Sequence, residues 1–211
     1  MLSNEKSEIE KKLIKQMKLL ANTSLDSYED FFNKSKELTH QMIEWNHIME
    51  KVNSAIENLN EDLTFFNTTF YLAIFEINYV SLIDCICFLY IKNGLILKNN
   101  SINNFDSIGR VNTSIKHDFL EKQGLDTLVR KEDNQLRNKI AHYDFTIISK
   151  GKLSVQEKEI DIIRRAIELN SFVKEIVEML NRTTEIVKAN LDSKANEIRQ
   201  LMDELQKRKI K

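Results

Sequence analysis

The chain has 211 residues, with 31 basic against 32 acidic side chains and a formal net charge of −1, so no global field draws it to nucleic acid and any such binding must rest on a local patch. It is 42% hydrophobic and 30% charged, with no proline and only four glycines, which leaves enough apolar material for a core and too little turn material for a loop-rich all-β fold. The length suits one domain with a protruding extension.

Ile9, Leu13, Met17 and Leu20 recur at three- and four-residue spacing and predict an amphipathic helix over residues 3–21, broken at Asn22 to Ser24. Ser27 followed by Asp30 resembles a helix cap, so a second helix is expected to begin near Tyr28. Its stripe, Leu38, Met42, Trp45, Met49, Val52, Ile56, Leu59 and Leu63, is a seam for a partner helix, within the chain or in another. The run from Phe65 to Ile91 has the length of a membrane span, but Asn67, Glu76, Asn78 and Asp84 would be expensive in hydrocarbon. A helix buried on most sides inside a bundle is predicted instead, with no membrane partner, stopping at Lys92-Asn93-Gly94. Cys85 and Cys87 in that run are read as reduced core residues of a cytoplasmic protein. The acidic and basic N-terminus carries no signal-peptide core.

Asn99 to Gly109 reads as a surface loop, and Thr113 to Gln123 as a short helix ended by Gly124. Asp126 is the expected cap of a following helix that carries Leu128, Val129, Leu136 and Ile140. The period then changes, and Phe145 to Val155 predicts a small β-hairpin around Lys150-Gly151-Lys152. Ser154 with Glu157 forms a capping-box pattern that would open a last helix, its stripe running from Ile160 to Leu205. At about 1.5 Å per residue such a helix outgrows a small domain, so its distal half is expected to pack on the N-terminal helices or on another subunit.

Arg137-Asn138-Lys139-Ile140-Ala141-His142 concentrates the chemistry. A guanidinium clamps phosphate oxygens with a rigid donor fork, and an imidazole moves protons near neutral pH. Asn138 and His142 share a helix face, whereas Arg137 and His142 stand about 140° apart on an ideal helix. For these two to act together the helix must end near Ala141, or the site must use two chains; the β-like Tyr143-Asp144-Phe145 favours an ending. The residues also allow a purely structural role, with Arg137 paired to Asp133 and His142 as a helix cap. Arg130, Lys131 and Lys139 on the same helix, Lys150 and Lys152 on the hairpin, and Arg164-Arg165 are either substrate contacts or solvated charges. Glu76 and Asp84 either steer Arg137 or satisfy core neighbours. His40 and His47 lack a third ligand, His117 reads as a local pair with Asp118, and there is no phosphate-binding glycine loop, Ser-His-Asp arrangement or zinc spacing. No cofactor and no metal site is therefore expected. The terminal Lys207 to Lys211 is a solvated helix end or a nucleic-acid contact.

The pattern Arg137, Asn138, four residues from Arg to His142, in a proline-free helical chain, resembles the HEPN superfamily over about residues 62–185. The resemblance implies an all-α HEPN-like helical bundle, here with a long antiparallel helical extension and a small hairpin. The expected division is a helical extension over 1–61, the core over 62–185, and the distal C-terminal helix over 186–211 packing on the extension. It further implies a metal-independent endoribonuclease, in which a sugar 2′-hydroxyl attacks the adjacent phosphate and leaves a 2′,3′-cyclic phosphate, at a site formed where two copies dimerise. Carried over, His142 is a general acid or base, Arg137 stabilises the phosphorane and Asn138 orients the phosphate or the His. Lys139, Tyr143, Glu76, Arg130 and Lys131 are the candidate substrate-binding or supporting residues. RNA, a second copy and an antitoxin or defence partner are the implied partners, in abortive infection or a toxin–antitoxin system. Where one toxin subgroup has His, any residue, then a Tyr open to modification, Tyr143 stands one place early. The alternative is a non-catalytic helical interaction protein or a nucleotide- or RNA-binding module.

Overall fold

The structure, a computed structural model, describes residues 3–56, 64–99 and 101–209, without the side chains of Ser3, Met49, 52–56 and 203–209. It is mostly helical, with one three-stranded antiparallel sheet. Helix α1 (Ser3–Thr23) buries Ile9, Leu13, Met17 and Leu20, the stripe its spacing predicts. Helix α2 (Leu25–Ile56) starts earlier than expected, because Ser24 Oγ rather than Ser27 takes the free amide, accepting from Ser27 N at 3.3 Å. Within its described seam Leu38 and Met42 are buried and Trp45 stacks on Phe70 at 5.7 Å, so this part is filled inside the chain. Met49, Val52, Ile56, Leu59 and Leu63 lie outside the described side chains.

The central helix runs continuously through α3 (Thr64–Ala73), a π-helical segment (Ile74–Tyr79) and α4 (Val80–Lys92). By length and composition it passes as a membrane span, with a mean hydropathy of 1.9, yet 67% of its most apolar stretch is buried inside the fold. Packing by α1, α2, α6 and α8 accounts for that apolarity. It ends as predicted: Gly94 is left-handed (φ 89°), and Leu95 N returns to Tyr90 O at 3.2 Å.

The expected loop at Asn99 to Gly109 contains a short helix, α5 (Phe105–Gly109), because Asn104 and Ser107 cap each other reciprocally and Ile108 is buried. Helix α6 (Thr113–Lys122) follows, capped by Asn112. Asp126 does not cap the next helix; it opens a single 3₁₀ turn (Asp126–Leu128), and the extended Val129 separates that turn from α7 (Lys131–Ala141).

The hairpin is a sheet of three strands, β1 (Thr146–Ser149), β2 (Lys152–Val155) and β3 (Lys158–Asp161), in the order β1-β2-β3. Ser154 and Glu157 therefore form no capping box: Gln156 and Glu157 both have positive φ and make the two-residue turn that favours antiparallel return. The cap of α8 (Ile162–Lys209) is Asp161, whose Oδ1 accepts from Arg164 N at 2.9 Å. Buried residues of α1, α2, α4, α7 and α8 form one hydrophobic cluster, which reaches Val187 and, at its edge, Leu191. In the distal part of α8 Val187 is buried, Lys188 Nζ lies over the Phe32 ring of α2 at 4.3 Å and Leu191 sits at the edge of the cluster, while from Asp192 to Met202 every described side chain is exposed.

Candidate functional site

Helix α7 is held from below by a buried acid. Asp133 is fully buried and accepts from Arg130 Nε and Arg165 Nε at 2.7 Å each and from the Tyr71 hydroxyl at 2.9 Å. Burial beside that carboxylate drives the Tyr71 hydroxyl pKa far up, so it stays a donor. The cluster ties α7 to α3 and α8 and leaves no room for the Arg137–Asp133 pair considered from the sequence. Its sequence signal is the spacing Asp133, Leu136, Ile140, which sets the acid on the buried stripe.

A second network supports the start of α7. Tyr79 Oη lies 2.7 Å from His117 Nε2, accepts from Arg130 N at 2.9 Å, and donates to Leu128 O at 3.2 Å. With the donor role spent on Leu128, we assign the His117 proton to Nε2; its Nδ1, buried and unpartnered, is then a bare acceptor. Burial lowers the His117 pKa to about 4, so the ring is neutral near pH 7. His117 is thus a core group bridging to Tyr79, not a surface pair with Asp118.

Arg137 pairs with Glu76, whose Oε1 faces both Nε and Nη2. Its Nη1 donates to Asn138 Oδ1 at 2.7 Å. Glu76 reaches this position from the π-helical segment, which exposes Glu76 and Ile77 while burying Ile74, Phe75, Asn78 and Tyr79. A guanidinium has five N–H donors. Three are committed here, and one on each terminal nitrogen has no partner among the described residues. Asp84, the other acid of this helix, does not approach Arg137: it forms a buried ion pair with Lys116 at 2.5 Å.

Helix α7 ends as the motif requires. His142 is its C-cap, with His142 N on Asn138 O at 3.1 Å, Tyr143 N on Ile140 O at 3.0 Å and Asp144 N on Lys139 O at 2.9 Å. This closure needs a left-handed residue after the cap, and Tyr143 supplies it at φ 57° with its side chain 78% exposed. His142 is exposed, and its imidazole has no hydrogen-bond partner among the described residues.

The surrounding cations are mostly neutralised within the chain. Arg130 and Arg165 bind Asp133, Lys131 binds Glu121, Lys139 binds Asp144 at 2.7 Å, and Lys152 and Arg164 pair with Glu159 and Glu168. Lys150 is exposed and has no ionic partner among the described residues. A groove of about 680 Å³ lies between α7, β3 and the start of α8 and is lined by Gln135, Leu136, Lys139 and Arg164 among others, but not by Arg137, Asn138 or His142. Among the described residues, no group of three His, Cys, Asp or Glu side chains is placed to hold a metal ion. His40 pairs with Glu44, and Cys85 and Cys87 are buried free thiols, the first pushed up to about 12 by burial.

Comparison with protein-family models, with curated proteins and with solved structures finds no match to this chain.

Proposed function

We propose that the protein is a homodimeric, metal-independent endoribonuclease of HEPN type, serving bacterial abortive infection or a toxin–antitoxin system. The observations that carry this reading are a steered, incompletely occupied Arg137 in the last turns of α7 and an unpartnered, exposed His142 at its C-cap. Two free guanidinium donors suit the non-bridging oxygens of a phosphate. In the reaction the 2′-hydroxyl oxygen attacks phosphorus, its proton passes to a base, and the 5′-oxygen leaves with a proton from an acid. The products are a 2′,3′-cyclic phosphate and a 5′-hydroxyl. His142 takes the base or the acid role, Arg137 stabilises the charge on the phosphorane, and Asn138 holds Arg137 Nη1 and orients the phosphate. One chain supplies one such imidazole, and a second copy completes the site. Replacing Arg137 or His142 with Ala is expected to abolish cleavage of a single-stranded RNA by the purified protein, with the helical circular dichroism unchanged. Cleavage retained in both variants rejects the assignment.

A second reading is a non-catalytic helical interaction protein or nucleotide-binding module. It is favoured by Ile198, Leu201 and Met202, 58%, 59% and 57% exposed on the distal part of α8. Truncation after Leu191 then removes partner binding while the motif stays intact.

A further inference from the structure

The groove of about 680 Å³ between α7, β3 and the start of α8 falls within the size range of small-molecule sites, about 300–1,000 Å³. Leu136 and Val155, both nearly buried, and Ile160 give it an apolar floor. Gln135 from α7 and Gln156 from the β2–β3 turn bring carboxamides to it, and neither side chain has a hydrogen-bond partner among the described residues. A carboxamide offers a donor beside an acceptor, which is what the edge of a nucleobase can answer. Backbone strain falls at the same place. Gln156 lies at φ 50° and Glu157 at φ 65°, in a two-residue turn where glycine would relieve the cost.

The uncommitted charges of the groove are positive. Arg165 holds Glu132, Lys152 holds Glu159, Arg164 holds Glu168, and Asp161 caps α8. Lys158 has no ionic partner among the described residues. Arg164 meets Glu168 through Nε, which leaves its two terminal nitrogens for a phosphate.

The groove also leads toward His142. Gln135, Lys139 and His142 follow at steps of four and three along one face of α7, and the C-cap keeps His142 near helical backbone at φ −94° and ψ 9°. The rise from Gln135 to His142 is about 10 Å. We infer that the groove is a nucleotide subsite. One unpaired base of single-stranded RNA lies on the apolar floor, Gln135 and Gln156 bond its edge, and Lys158 and Arg164 meet the phosphates that flank it. As a subsite of the His142 reaction it rests on the ribonuclease reading; as a binding site it stands without it.

The test uses the full chain and a labelled 2′-O-methyl oligonucleotide, which lacks the attacking hydroxyl and stays intact. Fluorescence anisotropy is expected to show binding of the single strand, and weaker binding once it is annealed to its complement, because pairing occupies the base edge. Gln135→Ala and Gln156→Gly are each expected to weaken binding roughly fivefold to tenfold, the loss of about one hydrogen bond. Alanine suits an exposed helix position and glycine relaxes the left-handed turn, so both variants are expected to melt at or above the wild-type temperature. Lys158→Glu, at an exposed strand position, is expected to lower affinity as well. No binding of the strand, equal affinity for strand and duplex, or wild-type affinity in both glutamine variants overturns the inference. Cleavage of ordinary RNA by the same samples separates the two proposals. Binding that depends on Gln135 and Gln156 without any cleavage supports the subsite and rejects the nuclease reading, whereas cleavage that is unchanged in both variants rejects the subsite alone.

Discussion

Arg137 and Glu76, 61 residues apart, meet where α7 crosses the π-helical segment, and one carboxylate oxygen faces both Nε and Nη2 of the guanidinium. The pair is partly solvated, with side chains 34% and 42% exposed, so its contribution to stability is small, roughly 0–1 kcal/mol. Its effect is on aim. Glu76→Gln is expected to leave thermal unfolding within a few degrees of wild type while lowering RNA cleavage about tenfold or more. Parallel melting curves and initial rates check this; an equal loss in both, or in neither, removes Glu76 from the site.

Burial of His117 gives a stability signature with a definite sign. Its folded pKa is lowered to about 4 from 6.5, so its contribution is complete above pH 6.5 and declines as the pH falls, because the unfolded chain takes up the proton first. The loss levels off near pH 4 and amounts to about 3 kcal/mol. Urea midpoints at pH 7, 5.5 and 4.5 are expected to fall more steeply for wild type than for His117→Gln. Identical slopes contradict the buried, neutral ring.

Asp84 and Lys116 test the core. Burial raises the Asp84 pKa more than the Lys116 charge lowers it, so desolvation outweighs the attraction. They approach to 2.5 Å, and neither Asp84 Oδ1 nor Lys116 Nζ has another partner among the described residues. Asp84→Asn strands the ammonium and is expected to cost about 3–5 kcal/mol, whereas Asp84→Leu with Lys116→Met recovers most of that loss. Urea unfolding of the set decides it: a single variant as stable as wild type contradicts the burial.

Tyr143 carries the strain of the α7 terminus. A left-handed side-chain residue costs about 1–2 kcal/mol, a penalty glycine avoids at the expense of a more flexible unfolded chain. Tyr143→Gly is expected to raise stability by about 0.5–1 kcal/mol, and Tyr143→Val to lower it, as measured by denaturant midpoints. The opposite order would mean that the exposed ring contributes packing of its own.

Much of this was legible from the residues. The 3.6-residue period of Ile9, Leu13, Met17 and Leu20, the stop at Gly94 and the switch to strand after Phe145 each express local backbone chemistry, and the structure follows them. Short polar side chains blurred the boundaries. Ser24, Ser27, Asp126, Ser154 and Asp161 all have capping chemistry, and which one caps depends on where the chain turns. The third strand was hidden because Gln156-Glu157 lacks the glycine usual in a two-residue turn. The helix end at His142 followed from the motif. The π-helical segment that brings Glu76 to Arg137 did not, since it is a change of phase inside an unbroken apolar run. The Asp133 cluster and the Tyr79–His117 bridge join distant segments, and no local spacing announces such partners.

The central claim is that His142 moves a proton while a 2′-hydroxyl attacks phosphorus. It is tested most directly by the chemistry of RNA ends in cells expressing wild type or His142→Ala. The account predicts new 2′,3′-cyclic phosphate and 5′-hydroxyl termini with wild type and none with the variant. The same termini from both proteins, or 3′-hydroxyl ends from wild type, would contradict it.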